Sequence, residues 1–136
     1  MSIAAPLTKP TLSDIARNGA IAIVSATVVN VILFYIGAAL GGFPSDVLTP
    51  MGTPLTVMNV VIMTVATIFV GAIGYAILNR FVANPNLWFV VTSVLIFIAF
   101  IPSPFSIAGA PVLMIVVLEV MHVVAAAAAI YFLTRS

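Results

Sequence analysis

The chain has no cysteine, one histidine and few charges: four basic and three acidic side chains in 136 residues. Without cysteine there can be no disulfide, no thiol nucleophile and no cysteine-ligated metal. Charged residues make up 5% of the sequence, against about 25% in a soluble domain, so a water-soluble fold would have nothing to cover its surface. A net charge of +1 provides no basic face for nucleic acid, and none is expected as a partner. What remains is 64% hydrophobic, and the solvent that suits it is the lipid bilayer. The length fits one membrane domain, 1–136, with no room for a second.

Four apolar runs carry the fold. They predict helices over about 15–41, 55–78, 85–101 and 111–133. The first follows a T-x-x-D capping box, Thr11 to Asp14. The second has Thr53 as its expected cap and Pro54 at its first helical position. Asn84 caps the third and Pro102 stops it. A span needs roughly 20 residues. The third run is the shortest: it could lengthen by a turn at its Asn86 end or sit where neighbours thin the bilayer, the alternative being a three-span protein with a re-entrant third segment, against which the charge pattern below weighs. The first run is too long for a signal-peptide core of about 7 to 15 residues and reads as a true span. The expected fold class is an all-α, four-transmembrane-helix bundle.

Four crossings place Lys9, Arg17, Arg80 and Arg135 on one side and leave the connections 42–53 and 102–110 on the other, without a basic residue. Basic residues mark the cytoplasmic side. Both termini are therefore expected in the cytoplasm, in a plasma membrane. A dual-topology transporter would carry a less biased charge distribution.

Polar groups inside the spans are the informative residues, because lipid solvates none of them. Asn30, Thr64, Ser93, Glu119 and His122 fall roughly 12 to 17 Å below the outer helix ends at 1.5 Å per residue, and Asn59 lies nearer that surface. Glu119 and His122 are three apart and share a helix face, which Ala126 and Ala129 continue. A central carboxylate costs about 2.5 to 3.5 kcal/mol to insert, and the twelve Leu, Ile, Val and Phe residues of 112–133 return roughly 4 to 7. Insertion therefore wins, and Glu119 should face the bundle or a partner. Asn30 is expected to face Glu119 or His122 across a contact between helices one and four. The candidate ligand or proton site is Glu119, His122 and Asn30, supported by Asn59, Thr64 and Ser93.

Glu-x-x-His is half of a carboxylate-bridged metal motif, but one glutamate and one histidine cannot complete it, so no metal site is expected. His122 could serve as the single axial ligand of a porphyrin or chlorophyll. Hydrolytic catalysis is not expected: Asp14 and Asp46 fall at opposite membrane surfaces, beyond reach of His122, and no nucleophile motif appears. Gly37-x-x-x-Gly41 reads as a helix-packing motif, as do Gly71 and Gly74, while Trp88, Tyr75 and Tyr131 suit an aromatic belt at the inner boundary.

The four spans, the proline-bearing outer hairpins and the stretch Leu118-Glu-Val-Met-His-Val-Val-Ala-Ala126 resemble small uncharacterised bacterial four-helix membrane proteins of the domain-of-unknown-function type. The likeness implies a bacterial plasma membrane and brings no functional residues with it. Three functions compete. The first is a non-enzymatic binding or accessory subunit, acting in a homo-oligomer or larger membrane complex through its lipid-embedded faces. The second is a small proton-linked transporter or channel using Glu119 and His122. The third is a metal- or haem-dependent membrane enzyme.

Overall fold

The computed structural model describes residues 8–136. It holds four α-helices: α1 Leu12–Ala39, α2 Val57–Phe81, α3 Pro85–Phe100 and α4 Val112–Leu133, with a 3₁₀ turn at Pro104–Ser106. Among the described residues the only β pairing is one isolated bridge, Leu48 to Pro54. All four helical segments are long and apolar enough to cross a membrane, the third because Pro85–Ser106 counts the 3₁₀ turn with α3. The expected lengthening of this span thus falls at its Pro104 end rather than at Asn86. Pro102 and Pro104 lack the N–H that an α-helix needs, yet their neighbours stay helical in backbone.

Local signals set most of the helix starts. The Thr11 hydroxyl accepts from Asp14 N–H, and the Asp14 carboxylate accepts from Thr11 N–H, closing the expected capping box. Asn84 Oδ1 accepts from Leu87 N–H, with Pro85 at the first position of α3. At α2 the cap is Thr56, not Thr53. Thr56 forms a reciprocal box with Asn59, while Pro54 is held upstream in the bridge to Leu48.

The helices run alternately up and down. α1 packs most extensively on α4 and next on α2, α2 also touches α4 across the bundle, and α3 leans on α2 and α4 without approaching α1. Close approach of α1 is allowed by small residues. A Cβ on Gly19 would sit 3.2 Å from the Ala72 side chain, and Ala22 and Ala26 are buried on the same face. On α3 the only buried residue is Phe89, seated edge-on against Tyr75.

Both ends of the bundle are tied. At one end, Lys9 Nζ donates to the carbonyls of Asn79 (2.9 Å) and Val82 (2.7 Å), and Asn79 Nδ2 donates to Pro10 O. Asn18 reaches Ser136, and Tyr75 OH donates to Asn86, which donates to Thr134 O. These bonds gather the segments that carry all four basic residues, so this is the basic end. At the opposite, proline-rich end, Phe43 of the α1–α2 connection folds back to stack on Phe34 at 4.8 Å.

The glycines play other parts than the sequence motif suggested. Gly37 packs against Phe43 and Val117, where a Cβ would come within 2.8 Å of the Phe43 ring. Gly41 instead takes a φ of +78° just beyond α1, the left-handed conformation glycine adopts at helix C-termini. Gly37 and Gly41 are therefore not a paired helix-packing motif. A Cβ on Gly71 would make only one ordinary contact, and one on Gly74 none, so neither is a close-packing position.

Candidate functional site

Two apolar clusters fill the bundle, one toward each end. The basic-end cluster includes Ala26, Ile68 and Ala125, and the proline-end cluster includes Phe34, Val60 and Met121. Asn30 and Thr64, the two fully buried polar side chains among the described residues, lie between them at 2% and 5% exposure. Asn30 Nδ2 donates to Thr64 Oγ1 at 3.0 Å and to the Met121 carbonyl at 3.4 Å. One amide therefore joins α1, α2 and α4. The carbonyl of an α4 residue is normally occupied within the helix, so Met121 O accepts a second bond on its free lone pair.

Asn30 does not face Glu119 or His122. Helical geometry gives the reason. Val117 meets Gly37, and Met121 meets Asn30, so that stripe of α4 faces α1. At about 100° per residue, Glu119 lies some 200° round from Val117 and points away from α1. It shares the α4 face of Val123 and Ala126, which with Ala127 and Ile130 border a groove against Ser93, Val94 and Phe97 of α3. Because α3 and α4 run antiparallel, Glu119 stands near the C-terminal end of α3. His122 lies between that face and the core.

Glu119 and His122 are each half-buried. Glu119 Oε1 and His122 Nδ1 are nonetheless buried atoms with no hydrogen-bond partner among the described residues. Asn30 differs in that its amide N–H groups are answered by Thr64 and Met121, although its Oδ1 is likewise buried without a partner. Thr27 Oγ1, one turn from Asn30, is buried and unpartnered too. It is a member of the polar layer that sequence reading missed, although its spacing of three from Asn30 was there to be used.

The remaining candidates separate. Ser93 lies in the α3–α4 groove, away from the Asn30–Thr64 bond. Asn59 is spent on the α2 cap, where its Oδ1 accepts from Thr56 N–H (2.9 Å) and the Thr56 hydroxyl, so it does not support the polar layer. A macrocycle on His122 would need room beside the imidazole. The neighbouring α3–α4 groove, about 200 Å³, is not lined by His122. No group of three His, Cys, Asp or Glu side chains comes together among the described residues.

No curated protein and no solved structure matches the chain. A family does, over residues 10–136. This agrees with the four apolar spans and with the resemblance carried by the α4 stretch. The chain belongs to the family of unknown function DUF6069.

Proposed function

We propose that the protein is a non-enzymatic accessory subunit of a bacterial plasma-membrane assembly, which binds a partner helix within the bilayer through the Glu119–His122 face of α4. The observation that carries this reading is the pair of buried, unpartnered atoms, Glu119 Oε1 and His122 Nδ1, on residues that keep part of their surface exposed. A carboxyl group left without a donor in hydrocarbon is strongly unfavourable. A transmembrane helix bearing a hydrogen-bond donor would answer the carboxyl through its other oxygen, Oε1 being closed off inside the bundle. Outside the helices the chain has little else to offer a partner. The one-sided placement of Lys9, Arg17, Arg80 and Arg135 supports cytoplasmic termini.

The alternative, a proton-linked transporter or channel, uses the same pair. The packed apolar clusters on either side of the Asn30 layer weigh against a path from end to end. Gentle solubilisation of tagged protein followed by mass measurement separates the two. A complex heavier than the 14.2 kDa chain that is lost in Glu119→Gln, with the helices intact, supports the subunit, and the added mass tells a second copy from a different protein. A lone chain that carries protons in liposomes would replace the proposal with the transporter.

A further inference from the structure

At the basic end, a groove of about 480 Å³ lies between α1 and α2, bordered by Leu12 and Ile15 of α1 and by Ile73, Ile77, Arg80 and Phe81 of α2. The α2 residues recur at three and four positions, so they form one face. We propose that this groove binds one anionic phospholipid, with an acyl chain along Ile73 and Ile77 and the phosphate on Arg80.

The volume lies within the range of about 300 to 1,000 Å³ typical of ligand pockets, and the lining is almost wholly apolar. Arg80 stands in the last turn of α2, where a membrane-spanning helix meets the headgroups. The only ion pair among the described residues is Asp14 with Arg17, at 3.6 Å, so Arg80 has no carboxylate of its own. Asp14, the one acidic side chain at this end, is already held by Thr11 and Arg17. Asn79, the other polar residue of the lining, gives its amide N–H to Pro10 O. Lys9 is occupied by two carbonyls. The Arg80 guanidinium lies over the Phe81 ring at 5.9 Å but has no anionic partner among the described residues, and above an apolar furrow it matches a phosphate above an acyl chain, because its planar fork meets phosphate oxygens two at a time. Basic pockets between spans at such a level are sites for anionic headgroups. A neutral partner helix would leave that charge unanswered.

The test uses the whole protein in bilayer discs of phosphatidylcholine containing some phosphatidylglycerol. Lipids retained after mild detergent extraction are read by native mass spectrometry. The wild type should retain one phosphatidylglycerol in preference. Arg80→Gln should reduce that preference about five-fold, and Arg80→Lys should restore much of it. Ile73→Trp, which fills the furrow, should reduce retention of either lipid. Arg135→Gln removes a basic residue of the same end that lies outside the groove, and should leave the preference intact. Equal retention of the two lipids by the wild type would overturn the site. So would an equal loss in Arg135→Gln and Arg80→Gln, which would mean that only the general charge of this end attracts lipid.

Discussion

Asn30 reaches Thr64 across 3.0 Å at the centre of the bundle, and both side chains are sealed from the surface. This contact fixes the register of α1 against α2, and the second bond of Asn30, to the Met121 carbonyl, extends it to α4. Apolar packing in lipid is nearly indifferent to a slide of one turn, whereas a polar pair is not.

Thr64→Val keeps the shape of the side chain and removes the acceptor. It should lower stability by about 0.6 kcal/mol and by no more than about 1.7, the range measured for such bonds within membranes. Asn30→Ala should be worse, because it loses both bonds. The double variant should fall short of the sum by about the worth of the shared bond. Strict additivity in unfolding from mixed micelles would show that the two residues do not cooperate.

Glycine substitutions should divide sharply. Gly37→Ala forces a methyl to within 2.8 Å of the Phe43 ring and 3.2 Å of Val117, so it should destabilise by about 1 to 3 kcal/mol, as overpacking does. Gly74→Ala meets nothing within 4 Å and should be neutral or raise the melting temperature slightly. Thermal unfolding of both in the same detergent decides this, and equal effects would contradict the packing described.

Tyr75→Phe removes the hydroxyl that donates to Asn86 at 2.6 Å while keeping the ring against Phe89. Loss of this bond should cost about 1 kcal/mol. The effect should be local, since α3 is fastened to the bundle by Phe89 and by this chain of bonds to Thr134. Faster amide exchange in α3 than in α1 is the expected sign, and uniform acceleration would rule it out.

Single cysteines at Ser45 and Ser106 should react with a membrane-impermeant reagent on intact cells, and one at Ser136 only after permeabilisation. Ser2, which lies outside the described residues, should behave as Ser136 does. Labelling of Ser45 and Ser136 from the same side would end the four-span topology, and labelling of Ser136 on intact cells would exclude a cytoplasmic C-terminus.

The spans, two of the caps and the importance of Asn30 and Thr64 could be read from residue types alone, because hydropathy and capping act locally. The orientation of Glu119 could not. In water, an apolar stripe reveals which face of a helix turns inward. In α4 nearly every position is apolar, so periodicity carries no such information, and only the register of Val117 and Met121 against α1 shows that Glu119 turns away. Asn59 was misjudged for a related reason: its capping role depends on α2 starting after Thr56, two residues beyond Pro54.

The extensive contact of α1 with α4 joins the first of these four helices to the last. While α2 and α3 emerge from the ribosome, Gly37 still lacks Val117 and the Asn30 amide lacks the Met121 carbonyl. The nascent protein must therefore hold a membrane-embedded amide only partly satisfied until α4 arrives. A chain halted before α4 would keep the Asn30–Thr64 bond and lack the one to Met121.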